Sequence, residues 1–267
     1  MNAARLLGRY FMTSIRAQLQ YPMSTLTLIL GQLVITVAEA VGTWALFDRF
    51  GTLRGWALAD ICVFYGTANV TFAFTETICR GFDVFGGDFV RNGAFDRVLL
   101  RPRSAVLQVI GHEFRLSRFG RLVQGLTILI LASTLFGFAW TPAALGLVLW
   151  AIIGGIALFT GLYLLQATLS FWTVDGLEIA NLFTHGSMTA GQYPMNIYAA
   201  WFRRFLTFVV PLACVAYYPI VAALGRDDPG GAPAWILPFA PLAGFAFLGA
   251  SFIAWRFGVG KYTSTGS

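Results

Sequence analysis

Two histidines, His112 and His185, and a carboxylate pair, Asp175 and Glu178, are the side chains of this sequence best suited by type to bond-making chemistry. Asp175 and Glu178 stand at i, i+3, so a helix would place both on one face, where paired carboxylates can act as general acid and base. A solvated helix end, or a contact with a nearby arginine, accounts for that spacing more simply. Neither histidine has a partner at metal-ligand spacing, and no HExxH, GxSxG or CxxC pattern occurs. The only lysine, Lys261, lies in GVGKYTSTGS, without the GxxxxGK[ST] spacing of a phosphate-cradling loop. The residues give no positive ground for an enzyme, a metal site or a resident cofactor, and Walker-type ATP hydrolysis by this chain is excluded.

Two further carboxylates matter because of where they sit. Glu39 and Glu76 interrupt apolar runs, and a carboxylate at lipid depth is costly and functional by default. Glu76 stands four residues before Arg80, so an ordinary i, i+4 ion pair is the expected reading there. Glu39 has no such neighbour.

The elements that must hold these residues are membrane spans. The chain has 267 residues, 57% hydrophobic and 11% charged, with mean hydropathy +0.71. A soluble domain carries about 25% charge, and several runs here exceed the roughly 18 to 20 apolar residues that cross a bilayer. The sequence predicts an all-α, polytopic membrane protein forming one domain over 1–267. Six spans can be drawn: Ser24–Phe47, Ala57–Cys79, Leu122–Ala139, Pro142–Phe171, Phe205–Leu224 and Trp235–Trp255. The fourth is long enough to tilt or to bend at Gly154–Gly155. Cys62, Cys79 and Cys214 lie in or at the ends of these spans and read as small core residues.

Arginine placement orients the spans. One face collects Arg5, Arg9 and Arg16, the eight arginines of the connection over 80–121, Arg203, Arg204, Arg256 and Lys261; the other keeps Arg49, Arg54 and Arg226. The positive-inside rule then puts both termini in the cytoplasm. Residues 1–21 carry too many arginines for a cleavable signal peptide and lead into too long an apolar run. Arg5, Arg9 and Arg16 instead fall within about 40° on a helical wheel, opposite Leu6, Leu7, Tyr10 and Phe11, as in a helix lying at the membrane surface. By the same count 172–204 is a cytoplasmic or interfacial connection, rich in Trp172, Tyr193, Tyr198 and Trp201.

Between the second and third spans lies GGDFVRNGAFDRVLLRP (86–102), which carries Asp88, Arg91, Asp96, Arg97 and Arg101. Gly93 and Pro102 bracket Phe95, Val98 and Leu99, whose spacing predicts one apolar face of a short helix. Such a helix can dock a protein, or lie on anionic lipid with its arginines in the headgroups.

These features resemble the permeases of type-2 ABC exporters (the ABC-2 class). The likeness rests on RNGAFDRVLLRP (91–102), FWTVDGLEI (171–179), QYPMNIY (192–198), RRFLTFVVPLACVAYYP (203–219) and YTSTGS (262–267), in that order. Asp175 stands where the family commonly has glutamate. The resemblance implies a transmembrane exporter subunit in the bacterial cytoplasmic membrane, paired with a second, identical or related permease and with two ATP-binding subunits that hold ATP and Mg. Membrane lipid, but no nucleic acid, is implied as a further partner. It further implies that 86–102 is a coupling helix, with Asp88, Arg91, Phe95, Asp96, Arg97, Arg101 and Pro102 toward the ATPase. A substrate path between the second and fifth spans would involve Asn69, Phe72 and Phe74 with Phe208 and Pro211, and Glu39 and Glu76 as its charged candidates. The implied substrate is hydrophobic, amphiphilic or drug-like. A membrane scaffold or sensor that recruits a cytoplasmic partner without moving solute is the alternative.

Overall fold

The computed structural model describes residues 3–114, 118–173 and 177–263. Among them the regular structure is helical, apart from one bridge between Leu53 and Trp56. The first helix, α1 (Ala3–Leu19), is amphipathic: Tyr10, Phe11 and Ile15 are half-buried while Arg9, Met12 and Arg16 are exposed. Its covered face meets the chain itself, with Phe11 on Phe114 at 5.0 Å between ring centroids and the Gln18 amide donating to the Phe114 carbonyl.

Helix α2 (Pro22–Phe50) starts on a proline, whose missing N–H costs nothing at that position, and stops at Gly51, where φ is +72°. Helix α3 (Leu58–Asp83) is opened by the Asp60 carboxylate, which accepts from the Ala57 N–H at 2.9 Å. It runs buried through the middle of the bundle. On one side lies α6 (Phe119–Thr134), antiparallel to it, and on the other α7 (Pro142–Leu169), parallel to it. Gly66 and Gly125 let α3 and α6 approach closely, since a Cβ on Gly125 would lie 2.9 Å from the Val70 side chain. Small residues at such contacts matter in lipid, where no hydrophobic force presses helices together.

Helix α7 is capped by the Thr141 hydroxyl, which accepts from Ala144 N–H at 3.1 Å, and continues unbroken through Gly154–Gly155. Of the two expected accommodations, tilt or a bend, a break of the helix is not the one taken. The two glycines serve packing instead: Pro241 lies against Gly154 and Thr71 against Gly155. The last helix, α11 (Leu242–Lys261), runs parallel to α7, with Leu248 beside Gly161 and Gly258 beside Thr168.

The expected fifth span, Phe205–Leu224, is broken. Helix α9 (Ala200–Phe208) and the stretch Ala213–Ala223, a π-helical turn followed by α10 (Tyr218–Ala223), meet at 89°. Pro211 sits at the break, where its ring removes a helical N–H. The preceding connection, expected on one face, is carried from one end of α3 to the other. In α8 (Leu177–Gly191), Asn181 shares Gln166 with Asp83 at the far end of α3, whereas Asn196 accepts from Trp56 Nε1 at 2.9 Å beside its start. Arg203 and Arg204, counted with the cytoplasmic arginines, follow that passage in the chain. The remaining asymmetry keeps its sign without them.

Among the described residues, four helical stretches are long and apolar enough to cross a membrane: Pro22–Arg49, Leu58–Arg91, Pro142–Leu169 and Leu237–Lys261. The bent pair makes a fifth if it is one span. Helix α6 has sixteen residues, about 24 Å at 1.5 Å per residue, short of the roughly 30 Å hydrocarbon core. The chain is a multi-pass membrane protein.

Candidate functional site: the segment after the second crossing

Beyond Asp83 the backbone continues through a π-helical turn, Gly86–Arg91, and then reverses at Gly93, whose φ of +63° favours glycine. Helix α4 (Ala94–Leu99) follows, and α5 (Ala105–Ile110) packs back on α3 where Gly81 leaves room for the Val109 carbonyl. The Gln108 amide donates to the carbonyls of Val98 at 3.0 Å and Arg103 at 3.3 Å, which closes the loop between α4 and α5.

Phe95 is fully buried. Its ring meets Phe85 at 5.1 Å, Phe171 at 5.4 Å, Trp255 at 6.1 Å and Tyr262 at 5.1 Å. It is the root of α4 and offers no surface to another protein. Val98 is buried with it, but Leu99, expected on the same face, is 44% exposed. A six-residue helix presents one narrow strip to the cluster, and Leu99 falls at its edge. The outer side of the segment comprises Arg97, Leu99, Leu100, Arg101 and Pro102, with Leu100 84% exposed. Arg91 is exposed too, and Asp88 lies 3.4 Å from His112 Nε2. Asp96 is half-buried next to Tyr262; burial raises the Tyr262 phenol pKa and the Asp96 carboxylate raises it further.

Three of the sequence motifs, 91–102, 171–179 and 262–267, therefore meet around Phe95, through Phe171 and Tyr262. A family model described as "ABC-2 family transporter protein" matches residues 33–266 and spans this whole arrangement. The chain belongs to the ABC-2 family of transporter proteins. No match was found among curated proteins or among solved structures. Family membership makes the chain a transporter permease component, with an ATP-binding subunit as its partner.

The permease gathers only some of the other candidates. Asn69, Phe72 and Glu76 lie buried along α3, with Asn69 Nδ2 donating to the Tyr65 carbonyl at 2.8 Å and Phe72 edge-on to Phe159 at 5.3 Å. Phe74 is 42% exposed on another face, and Phe208 is 82% exposed on α9, while Pro211 is buried at the break. Buried and exposed positions are thus mixed among these candidates.

Glu76 is paired, but not with Arg80. Its carboxylate meets Arg118 Nη2 at 3.2 Å and Arg121 Nη1 at 3.1 Å, both from the start of α6, and Arg121 also lies over the Phe72 ring at 5.4 Å. Arg80 is taken by Asp83 and by Glu113 at 3.7 Å. A second pair, Asp60 with Arg226 at 2.7 Å, closes the opposite end of α3, and Arg226 sits over the Trp56 ring at 4.9 Å. Sequence spacing could not reveal either pairing, because the partners lie 42 or more residues apart in the chain.

Glu39 is exposed on α2 and accepts from the Tyr65 hydroxyl at 3.3 Å; the same hydroxyl accepts from Gln124 Nε2 at 3.1 Å. Tyr65 and Gln124 carry no sequence signal of their own. Asp175 lies outside the described residues, and of Glu178 only the backbone is described. The acid–base pair is thus left as a sequence expectation.

Proposed function

We propose that this permease is the transmembrane half of an ATP-driven exporter, and that Gly86–Pro102 receives the movement of two separate ATP-binding subunits. The observation that carries this is the division of α4 and the residues just after it into a buried root, Phe95 and Val98, and an exposed side, Arg97, Leu100 and Arg101. A docking element must be rigidly joined to what it moves, and Phe95 joins α4 to the ends of α3, α7 and α11. The missing phosphate-binding lysine loop supports a division of labour in which the partner hydrolyses ATP. Both termini then lie in the cytoplasm, six crossings pair with those of a second permease, and the substrate is hydrophobic or amphiphilic, in keeping with the weakly charged spans.

The test is purification with the ATP-binding protein that accompanies the chain, followed by ATPase and transport measurements in proteoliposomes. Combined Asp96→Asn, Arg97→Ala and Arg101→Ala replacements are expected to abolish transport and permease-dependent ATPase while the chain still inserts. Unchanged transport and ATPase would sink the coupling role. Purification without any ATP-binding protein would favour the scaffold instead.

A further inference from the structure

Between α2, α3 and α6 lies a cavity of about 440 Å³, inside the range of about 300–1,000 Å³ typical of small-molecule sites. Its walls are apolar, built by residues such as Val37, Val41, Trp44, Ile61, Ile128 and Leu131. Few polar side chains reach it, among them Tyr65 and Gln124. Glu39 does not itself line this space; its carboxylate accepts from the hydroxyl of Tyr65, which does, and so lies next to it.

Glu39 differs from the other carboxylates of the crossings. Glu76 has two arginines and Asp60 has Arg226, whereas among the described residues no basic side chain pairs with Glu39. It stands seventeen residues beyond the start of α2 and eleven before its end, about 25 Å and about 17 Å along the helix, inside the span but nearer its outer end. A carboxylate held there is costly unless a counter-charge arrives. The described residues supply none, and the space beside it is large, apolar and aromatic on one side. Among the described residues no group of three or more His, Cys, Asp or Glu side chains gathers to hold a metal ion, here or elsewhere. A single positive charge on an apolar body fits both halves of the site, with the Trp44 ring available to its face.

The geometry points to this cavity as a binding site for a lipophilic monovalent cation, with Glu39 as its counter-ion and Tyr65 and Gln124 fixing the carboxylate. This names the substrate class of the proposed exporter and rests on that reading only for the consequence of binding, not for binding itself.

The experiment uses the permease with its co-purified partners in lipid nanodiscs and two probes of one shape and opposite charge, tetraphenylphosphonium and tetraphenylborate. Tetraphenylphosphonium is expected to bind saturably. Glu39→Gln should weaken it about ten- to hundredfold, the range of a lost charge-assisted contact. Val123→Trp, at an exposed position of the rim, should weaken it by filling the space while Glu39 stays in place. Tetraphenylborate should not compete. Equal affinity in Glu39→Gln, or equal binding of the two probes, would overturn the site. So would cross-linking of Glu39→Cys to its counterpart in a second permease, which would place the carboxylate in a subunit contact. Loss of the site leaves coupling through α4 untouched, and absence of an ATP-binding partner leaves the binding measurement valid, so the two failures are distinguishable.

Discussion

Phe95 and Tyr262 meet edge to face, with ring centroids 5.1 Å apart, and this joins the short helix after the second crossing to the residue that follows the last one. Phe171, from the end of α7, completes the contact with both. Helix α4 is therefore packed against the ends of three long helices together.

Phe95→Ala is expected to cost about 3–5 kcal/mol, the usual range for removing a buried phenylalanine. Leu100→Ala should cost under about 0.5 kcal/mol, since the side chain is exposed, yet reduce permease-dependent ATPase. Thermal unfolding and ATPase assays on the two variants separate root from tip. Equal effects on both readouts would show that α4 is not divided in this way.

The Tyr262 contact should be indifferent to pH up to about 10.0, the ordinary value of its phenol, because its pKa in the folded chain lies higher. Above that value the unfolded chain releases the proton more readily than the folded one, so stability falls as pH rises. Melting curves of the native chain and Tyr262→Phe should diverge only on the alkaline side.

Glu76→Gln leaves Arg118 and Arg121 facing each other in a buried place, and a loss of about 3–5 kcal/mol is expected. A double-mutant cycle should give strong coupling between Glu76 and Arg121 and almost none between Glu76 and Arg80. Strong coupling to Arg80 would restore the pairing that spacing alone suggests.

The path of 172–204 is open to labelling. With Cys62, Cys79 and Cys214 replaced, Ala199→Cys is expected to react with a membrane-impermeant maleimide in whole cells, and Arg97→Cys only after permeabilisation. Protection of position 199 until the membrane is opened would return this connection to the cytoplasmic face.

Gly81→Ala should disrupt the fold far more than Gly87→Ala. A Cβ on Gly81 runs into the Val109 carbonyl, whereas one on Gly87 meets nothing within 4 Å. Expression and size-exclusion behaviour of the two variants check this directly.

Much of this was legible in the residues. An apolar, arginine-poor run is a span whatever its neighbours are, because lipid imposes its length and its lack of charge. Gly93 before Phe95, Asp96 and Arg97 marked a short helix on local grounds, and five ordered motifs pointed to the family. Lys261, the single lysine, stands outside any GxxxxGK[ST] spacing, so the residues showed no Walker-type loop.

What the sequence withheld has one physical cause. Periodicity reports a face only when the faces differ, and α7 and α11 are apolar around their whole circumference. Which side of such a helix meets protein is settled by small residues such as Gly154, Gly161 and Gly258 meeting a particular partner, and that partner lies far away in the chain. The same holds for charge. Spacing offered Arg80 to Glu76, but the fold brought Arg118 and Arg121 there, and among the described residues it paired nothing basic with Glu39. The sequence by itself determined that this chain lives in a membrane and carries an exposed charged helix. Only the tertiary structure decided that Glu76 and Asp60 meet arginines while Glu39 meets a tyrosine hydroxyl beside a cavity.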